Sequence, residues 1–325
     1  MRHISLDLIR VTEAAAIAAS QYIGSGNKLG ADQVATDAIR NRLNKIDFGG
    51  KIVICEGIKD QSYGLLQGEH VGTKGLEYSD ACKSVSSAAD QMSLEKNRPY
   101  FYDLAIDPIE GTTPTVTGGP EAISTLAVSR ENSLYATDYF YMKKLAYGRK
   151  LKEKVELHLN DSLSRIVQTV ALALQKNVNQ ITVCILNRPR HDETIKQLRS
   201  LGVRIKLIND CDVSGAIAAA LPNTGIDLLY GIGGAPEAIL SACAIKCLGG
   251  EFLAQNIEKT SWSVRGNILH TNDLVKDDCV FVATGITDGS ILNGVKHKNS
   301  KPITNSVFMR SSSGTIRWIK THHGN

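Results

Sequence analysis

ITVCILNRPRHDETIKQLRSLGVRIKLI, residues 181–208, decides the fold. Its first six residues predict a strand, residues 191–202 predict a helix that stops at Gly202, and residues 203–208 predict a second strand. A strand–helix–strand order of this kind is typical of a right-handed crossover between parallel strands. The stretch therefore predicts an α/β fold built on a largely parallel sheet.

The same alternation continues to residue 286. Further strands are predicted at 226–232 and 279–286, and further helices at 213–221 and at 236–250, where Pro236 opens the helix. The last clear strand in the chain is the one at 279–286. The C-terminal half is therefore expected to be an α/β structure.

The N-terminal half is less regular and reads as α+β. Two helices are predicted in residues 1–45, joined by the loop GSGNKLG, and strands are predicted at residues 51–55, 101–106 and 122–129. From this change of pattern we divide the chain into an N-terminal subdomain, residues 1–150, and a C-terminal subdomain, residues 151–325. Residues 74–100 are polar and rich in Ser and Lys, and they predict a long surface insertion.

The composition favours an ordinary globular protein and argues against several other classes. Of the 325 residues, 42% are hydrophobic and 22% are charged, and the net charge is +4 without a concentrated basic run, so we expect no nucleic-acid partner. We also expect neither a signal peptide nor a membrane span, because no continuous apolar stretch is long enough. The seven cysteines include no CxxC pair, which favours a reducing cytoplasm over a zinc site or a disulfide framework.

Polar residues follow three predicted strands of the C-terminal half, at the edge where open α/β sheets bind ligands. Arg188 and Arg190 follow the first strand, Asp210 and Asp212 follow the second, and the glycine loop 231–237 follows the third. Arginines offer fixed forks of donors to phosphate, and a helix that begins after glycines offers bare N–H groups to an anion. Each piece alone is also typical of helix caps and tight turns. Together they predict an anion-binding site.

Carboxylates follow the strands of the N-terminal half in the same way. Glu56 ends one strand, Asp107 and Glu110 end another, and Asp32 opens a helix. Grouped carboxylates repel one another unless a cation offsets their charge, and hard cations such as Mg²⁺ and Mn²⁺ prefer carboxylate oxygen. A pair of such ions can promote phosphoryl transfer. The sequence therefore predicts a metal-dependent reaction at a phosphate.

The run DPIEGT at residues 107–112 resembles the metal-binding motif of the lithium-sensitive phosphatase superfamily, which includes inositol monophosphatases and fructose-1,6-bisphosphatases. Other motifs occur in the order of the class II fructose-1,6-bisphosphatases, over nearly the whole chain. They are RVTEAA (10–15), GNK (26–28), AD (31–32), EG (56–57), YMKK (141–144), RPRH (188–191), GIGGAPE (231–237), KCLGG (246–250), ATGITDG (283–289) and MRS (309–311). The phrase ADQVA at 31–35 looks most like the cyanobacterial branch, in which the enzyme can also cleave sedoheptulose 1,7-bisphosphate.

This resemblance implies a layered αβαβα sandwich of the sugar phosphatase type, and hydrolysis of the 1-phosphate of fructose 1,6-bisphosphate in gluconeogenesis or the Calvin cycle. It implies two or more divalent ions, Mn²⁺ or Mg²⁺, and a homo-oligomer. The implied metal ligands are Asp32, Glu56, Asp107, Glu110 and Glu237. The implied catalytic residues are Thr112, Lys28 and Asp60. The implied substrate-binding residues are Glu110, Gly111, Thr112, Tyr141, Arg188, Pro189, Arg190, Asp210, Asp212 and Gly234.

The chain departs from the family pattern at several positions. Asn27 stands where an acidic residue usually precedes the lysine, Ile58 replaces a second carboxylate after Glu56, and Cys211 replaces the glycine between two aspartates. The segment between Gly250 and Asp273 is also shorter than in the family. We expect slower catalysis with metal binding retained, and a pocket narrowed by Cys211.

Two alternatives stay open at this point. One is another phosphatase of the superfamily, acting on an inositol phosphate or a nucleotide, which would not need Arg188 and Arg190. The other is a catalytically weakened paralogue that binds a sugar phosphate as a regulator, which the losses at Asn27 and Ile58 favour. Phosphate release from a panel of sugar phosphates with Mn²⁺ or Mg²⁺ separates the three.

Overall fold

The computed structural model describes residues 4–55, 65–84, 87, 90, 92, 94, 96 and 98–324. Its helices are α1 (Ser5–Ser20), α2 (Lys28–Leu43), α3 (Thr73–Ser84), α4 (Thr112–Thr117), α5 (Arg149–Lys152), α6 (Leu163–Leu174), α7 (Asp192–Ser200), α8 (Asp212–Ala220), α9 (Ala235–Leu248) and α10 (Thr271–Leu274). Short 3₁₀ turns lie at Val178–Gln180, Pro189–His191 and Ser311–Ser313.

The strands of the described residues form two mixed sheets. They are β1 (Gly49–Cys55), β2 (His70–Val71), β3 (Phe101–Glu110), β4 (Ile123–Arg130), β5 (Tyr141–Tyr147), β6 (Thr182–Leu186), β7 (Arg204–Ile208), β8 (Leu228–Gly234), β9 (Glu251–Ile257), β10 (Val264–Leu269), β11 (Cys279–Gly285), β12 (Lys296–Lys298), β13 (Lys301–Arg310) and β14 (Thr315–His322). The first sheet has the order β12-β13-β11-β4-β3-β1-β2, with β14 on β13. The second has the order β10-β9-β5-β8-β6-β7.

The two sheets and three helical layers alternate. Helices α1 and α2 cover one face of the first sheet, and a buried cluster joins them to β3, β4 and β11. Helices α8 and α9 lie between the two sheets, and α6 and α7 cover the outer face of the second. Helix α9 is apolar on almost every side because sheets pack against it from both directions. The predicted αβαβα layering is confirmed.

The predicted parallel pairing of the strands within residues 181–234 is confirmed, since β6 pairs in parallel with β7 and with β8. The expectation of a largely parallel sheet is wrong. In the second sheet β5 inserts between β8 and β9 and pairs antiparallel with both. In the first sheet, β1 and β3 are the only parallel pair among the described strands. The pairings of β5 with β8 and β9 join strands far apart in the chain, so no local pattern could indicate them.

Two further expectations need correction. The segment 74–100 is not wholly an insertion, because Thr73–Ser84 is a helix whose Tyr78 ring packs edge-on against Phe101 at 5.2 Å. The strand at 279–286 is also not the last. Strands β13 and β14 follow it and pair through eight residues, from Ile303 with His322 to Arg310 with Thr315.

The division of the chain at residue 150 stays a prediction. The two sheets do not divide at that residue. Strand β5 precedes residue 150 and belongs to the second sheet, while β11 and β13 follow it and belong to the first. Among the described residues, no helix combines the length and the apolar character that crossing a bilayer requires.

Candidate active site

A cavity of about 520 Å³ lies where the carboxyl ends of β3, β6, β7 and β8 meet the start of α2. Side chains and backbone from both sheets line it. Most of the predicted site residues meet there: Lys28, Asp32, Asp107, Glu110, Gly111, Thr112, Tyr141, Arg188, Arg190, Asp210, Asp212, Gly234 and Glu237. The N- and C-terminal halves thus contribute to one site.

Three predicted site residues are not placed in this lining. Pro189 is exposed at the start of the 3₁₀ turn Pro189–His191, where its missing N–H costs no hydrogen bond. Glu56 and Asp60 lie outside the described residues, as does Ile58.

Three buried carboxylates converge at one end of the cavity. Oxygen atoms of Asp107, Glu110 and Glu237 all lie within 4.8 Å of one another. Burial, followed by the negative charges of Asp212, Asp107 and Glu237, raises the pKa of Glu110 well above its usual value. Hard oxygen donors held together against their own repulsion fit a hard divalent cation, which would remove that repulsion.

A bulge in β3 brings Asp107 and Glu110 to the same place. Residues three apart in a regular strand point to opposite faces. Here Asp107 pairs with Thr125 and Glu110 with Ile123, so β3 has one more residue than β4 over this step. The Asp107 carboxylate also accepts a hydrogen bond of 3.0 Å from the Ile109 N–H, which fixes the turn of the backbone.

Glu237 reaches the cluster from the first turn of α9. A side chain at Gly234 would overlap the Glu237 carboxylate, so glycine is required there for this orientation. A carboxylate at a helix N-terminus is favoured by the helix dipole. The predicted role of Gly234 in substrate binding stays a prediction, since the observed role is to make room for Glu237.

Polar groups from α2 and α4 lie beside this acidic cluster. The Thr112 hydroxyl donates a hydrogen bond of 2.8 Å to Asp32, and the Lys28 ammonium donates one of 2.9 Å to Thr113. Asn27 is the N-cap of α2, where its side chain accepts from the Gly30 N–H at 2.9 Å. The departure at Asn27 therefore keeps a residue type suited to starting the helix that positions Lys28 and Asp32.

The cationic end of the cavity contains Arg188 and Arg190. The Arg188 guanidinium lies 4.0 Å from the Asp210 carboxylate, and burial raises the pKa of Asp210. The Arg190 Nε donates a hydrogen bond of 3.0 Å to the Ile232 carbonyl, and its guanidinium lies over the Tyr141 ring at 5.1 Å. Burial lowers the pKa of Arg190. The ordinary pKa of a guanidinium is so far above 7 that the side chain stays charged.

Lys144 is a buried partner that the sequence interpretation missed. Its ammonium donates to the Asp212 carboxylate at 2.6 Å, and the two side chains are only 2% and 7% exposed. Side chains two residues apart in a strand share a face, so Lys144 lies on the same face of β5 as the apolar Met142 and Ala146. This alternation could have indicated that Lys144 is buried. Lys144 offsets one of the negative charges that act on Glu110.

Cys211 lies behind the cavity rather than in it. Its thiol contacts the Glu110 carbonyl at 3.4 Å and it is not a lining residue, so the expected narrowing does not occur. The thiol instead occupies the space that a side chain at Gly111 would need. Cys211 has a φ of +67°, a left-handed conformation that normally favours glycine.

His191 is a second residue whose role the sequence interpretation missed. Its Nδ1–H donates to the Leu186 carbonyl at 2.8 Å, and its Nε2 accepts from the Ile232 N–H at 2.7 Å. The ring thus joins the end of β6 to β8 beneath Arg190. Burial lowers the pKa of His191 to about 4, so the ring is neutral at pH 7. Its place beside two arginines in RPRH was the only available indication.

The chain is similar to known proteins over nearly its whole length. Residues 2–323 match the profile described as bacterial fructose-1,6-bisphosphatase, glpX-encoded. A fructose-1,6-bisphosphatase class 2 of Haemophilus influenzae is 36% identical over 345 residues, covering 99% of this chain and 96% of that protein. A D-fructose 1,6-bisphosphatase class 2/sedoheptulose 1,7-bisphosphatase of Crocosphaera subtropica is 36% identical over 343 residues, covering 98% and 96%, and one of Synechococcus elongatus matches equally.

Proposed function

Since the chain belongs to the bacterial, glpX-encoded fructose-1,6-bisphosphatase family, we propose that it hydrolyses the 1-phosphate of fructose 1,6-bisphosphate to give fructose 6-phosphate and inorganic phosphate. One observation carries the proposal. A single cavity holds three converging carboxylates suited to a cation and two arginines suited to a second phosphate. A monophosphate would use only part of this arrangement.

Asp107, Glu110 and Glu237 are the proposed ligands of Mn²⁺ or Mg²⁺, with Asp32 and Glu56 as further ligands. The bound ions would stabilise the negative charge that develops on the phosphoryl group and lower the pKa of a water molecule. The convergence of Asp107, Glu110 and Glu237 supports this assignment.

Thr112 is proposed to orient the attacking water. Its hydroxyl hydrogen is committed to Asp32, so its oxygen is left to accept a hydrogen bond from water, and Asp32 is placed to receive the proton through Thr112. Lys28 is proposed to contact the scissile phosphate, together with Asp60 and the backbone of Gly111. Lys28 has three donor hydrogens, of which the bond to Thr113 uses one.

The uncleaved phosphate is assigned to Arg188, Arg190 and Tyr141, with Pro189 holding the two arginines in one short turn. The sugar hydroxyls are assigned to Asp210 and Asp212, near Gly234. Asp212 can accept from a hydroxyl while paired with Lys144, because a carboxylate has several acceptor positions.

The experiment is phosphate release after exhaustive chelation, followed by addition of Mn²⁺ or Mg²⁺. We expect hydrolysis of fructose 1,6-bisphosphate only with metal, and a loss of about 10³-fold or more in kcat for Asp107→Asn and Glu110→Gln, because the ions supply most of the charge stabilisation. Undiminished turnover in excess chelator would refute the metal assignment. Turnover of an inositol phosphate or a nucleotide in preference to the bisphosphate would refute the substrate.

A second substrate, sedoheptulose 1,7-bisphosphate, is proposed because it stands in the names of two relatives. The two sugars differ by one hydroxymethylene unit, which a site anchored at both phosphates could accommodate. We expect kcat/KM values for the two within a thousand-fold, or about 4 kcal/mol. A larger ratio would exclude use of both.

The cytoplasm is the proposed location, and a homo-oligomer is the proposed assembly. The described cysteines are all free thiols, which suits a reducing compartment. Strand β14 is an edge of the first sheet and its Trp318 is 51% exposed, which suits a contact between copies. Size-exclusion chromatography with light scattering tests the assembly, and a monomer at micromolar concentration would refute it.

A further inference from the structure

The hairpin between β9 and β10 holds a tryptophan in an unusual conformation. Trp262 has a φ of +53°, which is a genuine outlier for a bulky side chain. The loop is closed by two backbone hydrogen bonds, from the Trp262 N–H to the Glu258 carbonyl at 2.8 Å and from the Glu258 N–H to the Ser263 carbonyl at 2.9 Å. Such a conformation persists where the surroundings demand it, and it occurs most often at functional sites.

The contacts of the Trp262 ring explain this conformation. The ring lies 5.1 Å from the Tyr141 ring, and its face is 5.7 Å from the Arg190 guanidinium. Arg190 therefore lies over two aromatic faces, Tyr141 and Trp262, and the attraction between a cation and a ring is strongest for tryptophan. Trp262 is still 43% exposed, so burial alone does not account for its position.

Arg190 is held from two directions at once. Its Nε is committed to the Ile232 carbonyl, which is the only hydrogen bond of its guanidinium among the described residues. The two rings restrict the plane of the guanidinium, while its terminal nitrogens have no such bond and are available to an anion in the cavity. Fixing this group in advance reduces the entropy that binding costs.

We propose that Trp262 is a positioning residue for the uncleaved phosphate, because it holds the Arg190 guanidinium in the orientation that binds it. This inference rests on the proposed function of the cavity. It adds a residue that lies outside the lining, in the hairpin between β9 and β10. The short hairpin brings Trp262 against Arg190.

The first test compares Trp262→Ala with Trp262→Phe. We expect the alanine variant to raise KM for fructose 1,6-bisphosphate about ten-fold, with kcat/KM for an aryl monophosphate changed less than two-fold, since that substrate lacks the second phosphate. Phenylalanine retains an aromatic face, so it should recover most of the loss. Trp318→Phe is the control, because Trp318 is the only other tryptophan and lies on β14 in the other sheet, and phenylalanine keeps an aromatic ring where the contact between copies is proposed.

A second test measures binding directly. Trp318→Phe leaves Trp262 as the single tryptophan of the chain. Fructose 6-phosphate carries the uncleaved phosphate, so it should change the emission of Trp262, whereas fructose should not. Arg190→Ala should abolish the change.

The outcomes separate this inference from the proposed function. If the wild-type protein hydrolyses fructose 1,6-bisphosphate, equal losses on both substrates in Trp262→Ala, or none on either, overturn the inference alone. If the wild-type protein does not hydrolyse fructose 1,6-bisphosphate, the proposed function fails. The fluorescence titration then tests whether Trp262 positions Arg190 at a bound phosphate. Competition with inorganic phosphate shows the concentrations at which fructose 6-phosphate is bound. If the emission of Trp262 does not change at those concentrations, the role proposed for Trp262 is wrong.

Discussion

Cys211 stands where the family resemblance implies a glycine, and its surroundings accommodate the side chain. Its left-handed backbone costs about 1–2 kcal/mol relative to glycine, but its thiol is buried against Gly111 and the Glu110 carbonyl. Replacement by glycine would relieve the strain and lose the packing, and the two effects are of similar size.

We therefore predict that Cys211→Gly changes stability by no more than about 1 kcal/mol, because strain relief and lost packing offset each other. It should change kcat and KM for fructose 1,6-bisphosphate less than about three-fold, since the thiol does not line the cavity. Chemical denaturation and steady-state kinetics measure the two quantities. A ten-fold gain in kcat/KM would mean that Cys211 does restrict the site.

Substitution of Lys144 is predicted to lower the stability far more than substitution of Cys211. Lys144→Met leaves the buried Asp212 carboxylate without its partner, and breaking a buried ion pair in this way costs about 3–5 kcal/mol. Lys143→Met is the matched control on the same strand. The half-buried Lys143 ammonium donates a hydrogen bond to Asn160 and lies 5.8 Å from the Tyr230 ring, and it has no ion pair among the described residues, so we expect a loss below about 1 kcal/mol. Equal losses in the two variants would contradict the role given to Lys144.

At the residue scale the sequence predicted the acidic run 107–110 and the two arginines, because each stands next to a recognisable strand end. It did not predict the partners that hold them. Lys144 and His191 act through contacts with Asp212 and Ile232, which are 68 and 41 residues away. Pairings over such distances depend on the fold and leave only weak local patterns.

At the scale of elements, the cationic end of the cavity depends on the junction between β6 and β8. His191 makes this junction through both ring nitrogens, which requires the neutral form with hydrogen on Nδ1. A side chain at Gly231 would contact the ring at 3.0 Å, so the strand is also shaped to fit it.

This junction predicts a pH dependence of stability. The unfolded chain binds a proton at His191 near pH 6.5, whereas the folded protein does so only near pH 4. Between these values the unfolded state holds more protons, so the contribution of His191 is complete above pH 6.5 and is lost as the pH falls towards 4.

We expect His191→Gln to flatten this dependence. The stability difference between wild type and variant should shrink by on the order of 2 kcal/mol from pH 7 to pH 5, because only the wild type loses the contribution of the imidazole. Urea denaturation at both pH values measures it. Parallel pH profiles would show that protonation of His191 is not linked to unfolding.

The elements that the sequence predicted share one property. In β6, β7 and α7 the apolar period is local and short turns separate the elements. Strands β5, β10 and β14 were missed because polar residues interrupt their apolar pattern, as in YMKKLAY and TIRWIKTH. Exposed side chains on edge strands explain this for β10 and β14, and the buried pair of Lys144 with Asp212 explains it for β5.

At the scale of the whole molecule, the first sheet is completed by the end of the chain. Strand β4 pairs with β11 through seven residues, and β11 pairs with β13. Buried polar groups of α1 also have their partners there. The Thr12 hydroxyl bonds to that of Thr284 at 2.8 Å, and the Glu13 carboxylate accepts from the Thr304 hydroxyl at 2.9 Å.

The last prediction follows from this arrangement and tests the division at residue 150. A fragment of residues 1–150 retains the predicted metal-site subdomain but loses β11 and β13, so β4 becomes an open edge and the polar groups of α1 lose their partners. Each unsatisfied buried group costs about 1–3 kcal/mol, and the apolar contacts of Val280, Val282 and Phe308 are lost as well. These losses are as large as the whole stability of a typical domain, so the fragment should show no cooperative thermal transition, whereas the full chain should. A fragment that melts cooperatively with native-like circular dichroism would mean that residues 1–150 fold independently and that the C-terminal strands are an addition to a complete subdomain.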